Sequence, residues 1–120
     1  MRKLVLIIAL SLSCGGDDEL SAQEGCNQAV DILCDKFFSC FTKEEADAAK
    51  DFIGLNAADC KVKLKAAECG ADNVKCNLGE TYHADKASEC VNGYKGLSCT
   101  DIKKGANLPE PAACTLICTK

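Results

Sequence analysis

Tryptophan is absent from this 120-residue sequence, and the other aromatic residues are few, with four Phe and two Tyr. The hydrophobic core must therefore be built mainly from Ala, Leu, Val and Ile. Such a core, in a chain of single-domain length, is expected to need covalent cross-links in support. Histidine is nearly absent as well: His83 is the only one, so the sequence offers no Cys2His2 zinc site.

Recognisable catalytic motifs are also lacking. The sequence contains no nucleotide-binding glycine pattern, no nucleophile elbow and no metalloprotease motif. His83 is the one candidate general base near neutral pH, with Tyr82, Asp85 and Glu89 nearby in sequence to orient it. A surface histidine on a helix is the simpler interpretation. We therefore expect no catalytic residue, no cofactor and no bound metal, and a protein that is not an enzyme.

The balance of charge is acidic, with 14 Lys and Arg against 18 Asp and Glu and a formal charge of −4. Nucleic-acid binding requires a basic face, so we expect no nucleic-acid partner. The lysines at 61, 63 and 65 alternate with apolar residues on a predicted helix, which favours a solvated helix face over a binding patch.

The first 13 residues have the features of a secretory signal peptide. Arg2 and Lys3 provide a cationic start, an apolar stretch of about nine residues follows, and small residues precede Cys14. A membrane-spanning helix needs about 20 apolar residues, so this stretch is too short to span permanently. We expect residues 1–13 to be removed on export.

Around Cys14 the sequence resembles the bacterial lipobox, in which the signal peptidase cuts before a Cys that carries a diacylglycerol thioether. Ser13 and Gly15 fit that pattern, whereas Ser11 stands where Leu is usual. Ser11 and Ser13 also satisfy the small-x-small rule for ordinary cleavage, which leaves secretion without lipid open. The cysteine count favours lipidation, because 11 is odd and a modified Cys14 leaves ten that can pair. We therefore expect lipidated Cys14 to anchor the protein to a membrane.

Three segments are predicted: a signal peptide over residues 1–13, a lipidated flexible tether over 14–25, and a disulfide-rich helical domain over 26–120. The tether is acidic and rich in small residues, which is typical of a linker without a packed core.

Within the domain, apolar residues recur at steps of three and four from Cys26 to Phe41, which predicts a first helix. Thr42 with Glu45 forms a capping-box pattern for a second helix, and Gly54 is a natural stop. Further elements are predicted in this order: a third helix over residues 56–70, a loop over 71–79, a fourth helix from Thr81 to about Leu97, a short turn of helix over 98–105 and an irregular tail after Pro109. The predicted fold is all-α, a small disulfide-braced bundle of about four to five short helices with an irregular C-terminal tail.

The cysteine spacing favours disulfides over redox or metal chemistry. No C-x-x-C occurs, so the main signal of thioredoxin-like sites, c-type haem attachment and zinc ribbons is missing. Thiols of an exported protein meet an oxidising environment. We expect structural bridges from ten cysteines: Cys26, Cys34, Cys40, Cys60, Cys69, Cys76, Cys90, Cys99, Cys114 and Cys118.

Helix geometry restricts the pairing without fixing it. The cysteines at 26, 34 and 40 lie too far apart on one helix to bond to one another, so each must reach another segment. Residues nine apart leave opposite sides of a helix, because each residue turns the chain by about 100°. Cys60 and Cys69 are therefore expected to bind two different neighbours, as are Cys90 and Cys99 if their helix extends that far.

Together these spacings resemble the small cysteine-rich lipoproteins of some Gram-negative bacteria. Those chains begin with a C-x7-C-x5-C helix, continue with paired cysteines on short helices and end in P-x-x-C, here Pro111 and Cys114. The resemblance covers most of residues 26 to 114 and implies an architecture, not an activity. Cys118 is an addition to the pattern, for which Cys69 or Cys76 is the expected partner.

Two classes of function are compatible with these features. The first is a non-enzymatic, membrane-anchored module of the cell envelope, periplasmic or at the outer membrane or cell surface, with an envelope protein or polysaccharide as possible partner. The alternative is a soluble secreted effector or inhibitor-like protein, which cleavage without lipidation would produce.

Overall fold

The structure, a computed structural model, describes residues 20–120. The signal peptide, Cys14 and most of the expected tether lie outside the described residues. The elements follow in this order: α1 (Ala22–Cys40), α2 (Lys43–Ala48), α3 (Lys50–Ile53), α4 (Ala57–Glu68), β1 (Thr81–Tyr82), α5 (Ala84–Lys95), α6 (Cys99–Ile102), two 3-10 turns (Gly105–Asn107 and Ala112–Leu116) and β2 (Cys118–Thr119). The predicted disulfide-braced helical fold is confirmed.

Helix α1 begins earlier than expected, so the tether does not extend to residue 25. Ser21 caps the helix: its hydroxyl accepts the backbone N–H of Glu24, and the Glu24 carboxylate accepts the N–H of Ser21. This reciprocal pair satisfies two backbone donors that would otherwise lack partners at the helix start. Leu20 is already buried, so the folded domain starts by residue 20 and not at Cys26.

Helices α1 and α4 pack side by side in antiparallel directions. Cys26 is bonded to Cys69 and Cys34 to Cys60, so a higher residue number on α1 is paired with a lower one on the α4 segment. Two ion pairs repeat that register, Asp31–Lys65 at 2.7 Å and Asp35–Lys61 at 2.9 Å. The lysines at 61 and 65 are therefore interhelical partners and not the freely solvated face that their spacing predicted; the lysine at 63 is exposed.

The second helix is divided in two at Ala49, although both of its predicted ends are confirmed. Thr42 and Glu45 form the expected capping box. Gly54 ends α3 with a φ of 85°, a conformation that favours glycine. A Cβ at Gly54 would lie 2.5 Å from Oδ2 of Asp59, which accepts the N–H of Leu55 at 2.9 Å. The turn therefore brings α4 close enough that only glycine fits.

Sulfur atoms occupy much of the core between α1, α3 and α4. The buried members of this core are Val30, Cys34, Ile53, Cys60 and Cys69, and the partly buried aromatic side chains packed on it are Phe37, Phe38 and Phe41. Cys34 and Cys60 are completely buried. A disulfide thus supplies contact area that a larger aromatic core would otherwise provide.

The C-terminal part departs from the sequence prediction in two places. Thr81 and Tyr82 form a strand, paired antiparallel with Cys118 and Thr119, and α5 begins only at Ala84. The tail after Pro109 is therefore not irregular throughout, because it contains a 3-10 turn and then this second strand. Helix α6 begins as predicted, with a capping box at its start. Within residues 20–120, no helix combines the length and apolar character needed to cross a bilayer.

Candidate ligand-binding cleft

Five disulfide bridges use all ten cysteines of the described residues. They join Cys26 to Cys69, Cys34 to Cys60, Cys40 to Cys99, Cys76 to Cys118 and Cys90 to Cys114, with Cα–Cα distances between 4.7 and 5.8 Å. These distances are normal for disulfides. Such a set of bridges indicates an oxidising, extracellular or exported environment. Cys14 lies outside the described residues, so its lipidation stays a prediction.

The bridges confirm part of the expected pairing and correct another part. Each cysteine of α1 does reach another segment, and Cys118 pairs with Cys76, one of its two expected partners. Cys60 and Cys69, however, do not bind two different neighbours, because both are bonded to α1. Helix α4 ends at Glu68, and Cys69 adopts a non-helical conformation there. The half-turn rule does not apply to it, since its side chain leaves from the helix cap.

A cleft of about 450 Å³ lies between α1, α5, the loop after α4 and the C-terminal tail. Its floor is formed where α1 and α5 meet through small side chains. A Cβ placed on Gly25 would be 3.6 Å from Cβ of Ala87, so the two helices approach closely at this point. Ala22 and Ala29 lie on the same side of α1 as Gly25, and Val91 continues the apolar surface on α5.

The tail wall of the cleft is covalently fixed. Cys90 of α5 is bonded to Cys114, and Cys76 in the loop after α4 is bonded to Cys118. Cys90, Cys114 and Cys118 line the cleft directly, whereas Cys76 does not. Two cross-links therefore hold the loop, α5 and the tail in one arrangement, whether or not a ligand is present.

His83 fixes the same tail and is not the surface histidine on a helix that was expected. It is half-buried and precedes α5; its backbone N–H donates to the carbonyl of Ile117 at 2.7 Å. The ring Nε2 lies 2.7 Å from Oγ1 of Thr119. Of the neighbours that could orient a catalytic histidine, Tyr82 donates its hydroxyl to the carbonyl of Leu20 and Glu89 pairs with a lysine on its own helix. The contacts of His83 are therefore structural.

Both tyrosines of the protein line the cleft. Burial raises the pKa of Tyr82 above its ordinary value, and the negative charge of Glu24 adds to that shift. Burial likewise raises the pKa of Tyr94, and there the second cause is the charge of Glu110. Within the described part of the chain, the Tyr94 hydroxyl has no hydrogen-bond partner. It is thus available to a ligand, whereas the Tyr82 hydroxyl is already engaged with Leu20.

One basic and one acidic side chain lie at the solvent-exposed edge of the cleft, which we call its rim. Lys75 and Glu110 line the cleft and are exposed. Neither makes an ion pair with any residue between 20 and 120. Asn73 and Thr115 add neutral polar groups to the exposed edge. The cleft therefore combines an apolar floor with a few convergent polar groups, which is the usual composition of small-molecule sites.

Comparison with protein families, with curated proteins and with solved structures gave no match. In the part of the chain that the structure describes, no three His, Cys, Asp or Glu side chains are grouped so that they could hold a metal ion.

Sequence reasoning did not identify the cleft, although one signal for it was present. Ala22, Gly25 and Ala29 follow one another at helical spacing and place small side chains on one side of the first helix. The first two fell within the stretch predicted to be a tether. The capping-box pattern of Ser21 and Glu24 is the feature that could have moved the helix start and exposed the small face.

Proposed function

We propose that this chain is an exported, non-enzymatic lipoprotein of the cell envelope, anchored through Cys14, whose folded domain binds a ligand in the cleft. The observation that carries the binding part is the cleft itself, with its apolar floor, its unengaged polar groups and its cross-linked walls. A site that is formed before the ligand arrives loses little conformational freedom on binding. The resemblance to small cysteine-rich lipoproteins and the odd cysteine count support the anchor.

The proposed anchor would hold the cleft close to the membrane. Leu20 lies six residue steps after Cys14, and an extended chain covers at most about 3.6 Å per step, so the span is at most about 22 Å. Leu20 accepts the hydroxyl of Tyr82, and Ala22 lines the cleft. A ligand of such a lipoprotein would be met near the envelope surface, where an envelope protein or polysaccharide could supply it.

Intact mass of the exported protein, with and without reduction and alkylation, tests the anchor and the framework. The expected result is a chain that starts at Cys14, carries acyl mass, and has ten cysteines that alkylate only after reduction. A chain cut before Cys14 without acyl mass would instead support the secreted effector or inhibitor-like alternative. Thiols that alkylate before reduction would contradict the five-bridge framework.

The uncharged dye N-phenyl-1-naphthylamine tests whether the cleft is an accessible apolar site. The dye should fluoresce more strongly on binding to the wild-type domain, and Ala29→Phe should suppress the increase by filling the floor of the cleft. Ala66→Phe is the matched control, because Ala66 is exposed on α4 and does not line the cleft. Equal dye binding by both variants, or no binding by the wild type, would contradict a ligand site in the cleft.

A further inference from the structure

The two unpaired charges of the rim lie at opposite ends of the cleft. Lys75 precedes Cys76, whose partner Cys118 pairs with Tyr82 just before α5 begins. Glu110 precedes Pro111, which packs against Gly93 near the other end of α5. Nine residue steps of α5, from Ala84 to Gly93, separate these places, a length of about 14 Å at 1.5 Å per step. Both residues line the cleft, so the gap between their charged groups is of this order.

The middle of the cleft offers apolar contact and carries no charge of its own. Small side chains from α1 and α5 form the floor there: Ala22, Ala29, Ala87 and Val91. A complementary ligand therefore has an apolar middle, a cationic group at the Glu110 end and an anionic group at the Lys75 end. The exposed polar groups of Asn73 and Thr115 can hydrogen-bond to neutral polar atoms between those ends.

We propose that the cleft binds a short zwitterionic peptide of about three residues with small apolar side chains. This inference rests on the proposed function and specifies its ligand. An extended peptide rises by about 3.3–3.6 Å per residue, so three residues separate the termini by about 10 Å. That length is within the separation of about 14 Å between the Lys75 and Glu110 ends, and it leaves room for an ionic contact at each end.

The direction of the peptide follows from the groups at each end. At the far end of α5 the amino terminus meets the Glu110 carboxylate and the ring of Tyr94. An ammonium group is attracted to both, to the carboxylate by charge and to the ring face by a cation–π contact. The free Tyr94 hydroxyl supplies a further polar contact. The terminal carboxylate lies at the other end against the Lys75 ammonium.

Trialanine is the probe that tests this inference. The chain has no Trp and both of its tyrosines line the cleft, so intrinsic tyrosine fluorescence reports occupancy of the site. Binding should change that signal, and calorimetry should confirm it. N-acetyl-trialanine and trialanine amide should each bind about two- to fivefold more weakly, the range of an exposed ion pair. N-acetyl-trialanine keeps only the carboxylate and so represents the C-terminus of a longer chain, whereas trialanine amide keeps only the amino group and represents the N-terminus. Tighter binding of trialanine than of both therefore indicates a free short peptide as the ligand.

Two charge-removing variants assign each end. Glu110→Gln should weaken trialanine binding about two- to fivefold and leave the affinity for N-acetyl-trialanine unchanged. Lys75→Gln should do the same for trialanine and leave the affinity for trialanine amide unchanged. Glu44→Gln and Lys63→Gln are matched controls, since both residues are exposed and lie outside the cleft. They should change neither affinity.

The outcomes separate this inference from the proposed function. If the dye binds and Ala29→Phe blocks it while trialanine does not bind, the peptide inference is wrong and the ligand site stands. If capped and uncapped peptides bind equally well, the zwitterionic ligand is refuted. If trialanine binds but neither charge variant changes its affinity, the assignment of the ends is wrong. If neither the dye nor trialanine binds, the ligand site itself is refuted.

Discussion

Removal of the buried Cys34–Cys60 bridge should destabilise the domain more than removal of the half-buried Cys76–Cys118 bridge. The comparison is informative because each bridge closes a ring of nearly the same size. With the Cys26–Cys69 bridge intact, the ring closed by Cys34–Cys60 contains the segments between Cys26 and Cys34 and between Cys60 and Cys69. These are eight and nine residue steps, about 17 together.

The second ring contains the segments between Cys76 and Cys90 and between Cys114 and Cys118. These are 14 and four residue steps, about 18 together. In the chain-entropy treatment, a ring of 17 or 18 residues contributes about 3 kcal/mol at 25 °C. Loop entropy alone therefore predicts equal losses for the two bridges, and any difference must arise from packing.

Packing separates the two bridges, because Cys34 and Cys60 are 0% exposed whereas Cys76 and Cys118 are only partly buried. The change to Ala deletes two fully buried sulfur atoms from the core, at about 1 kcal/mol each for lost burial and the cavity left behind. The expected losses in free energy of unfolding are about 5 kcal/mol for Cys34→Ala/Cys60→Ala and about 3 kcal/mol for Cys76→Ala/Cys118→Ala.

Guanidinium unfolding followed by far-ultraviolet circular dichroism measures both losses. Each variant changes both cysteines to Ala, so no free thiol remains to exchange with another bridge. Equal losses for the two variants, or a larger loss for the Cys76–Cys118 variant, would refute the role assigned to buried sulfur. Losses far below 3 kcal/mol in both would refute the loop-entropy calculation instead.

Four further perturbations test separate features. Gly93→Ala should lower stability by about 1–3 kcal/mol in chemical denaturation, because its Cβ would overlap Pro111. Gly70→Ala should be tolerated, because a Cβ there would make only ordinary contacts, at 3.9 Å from Asn73 and 4.0 Å from Ala66. Equal effects would contradict the close contact at Gly93. Ser21→Ala should cost about 1 kcal/mol through loss of the α1 cap, and no loss would argue that the helix starts later. Backbone hydrogen bonds from Thr42 and Ser98 are the main cause that lowers the pKa of Glu45 and of Asp101, respectively. The stability that these carboxylates provide is therefore present above the ordinary carboxyl range and is lost as pH falls through their lowered pKa values. The double variant Glu45→Gln/Asp101→Asn should flatten the decline of stability measured below about pH 4, and an unchanged decline would refute this assignment. Burial raises the pKa of Tyr82 and of Tyr94, so the tyrosinate absorbance should appear only above pH 10, which is about the ordinary pKa of tyrosine. Stability should fall as pH rises through these raised pKa values. A titration midpoint at or below pH 10 would contradict burial of both rings.

Local chemistry made several helix ends predictable from sequence. The spacing of Thr42 and Glu45 predicts a capping box, which the structure contains. The turn of helix predicted from residue 98 also begins with such a box, formed by Ser98 and Asp101. Such caps depend on residues three apart, so no tertiary information is needed. The same rule would have placed the start of α1 at Ser21, had the acidic composition of that stretch not favoured a tether.

Longer-range features could not be predicted in the same way. The β1–β2 pair joins Tyr82 to Cys118, 36 residues apart, in strands of two residues that carry no alternating pattern. The bridges to Cys60 and Cys69 depend on the antiparallel packing of two helices and on where α4 ends. The cleft depends on both, because its walls come from α1, α5 and a tail placed by Cys114 and Cys118.

Helix α1 divides the domain into a braced side and a binding side. On one side it meets α4 through Cys26–Cys69, Cys34–Cys60 and the two ion pairs. On the other it presents small residues to α5, where a side chain as small as Ala would already be in contact at Gly25. A helix that is held covalently on one face can carry small side chains on the opposite face at little risk to the fold, since cross-links offset the smaller area that such side chains bury. Few aromatic residues and many disulfides are thus two aspects of one arrangement, in which bridges stabilise the domain and small residues leave room for a ligand.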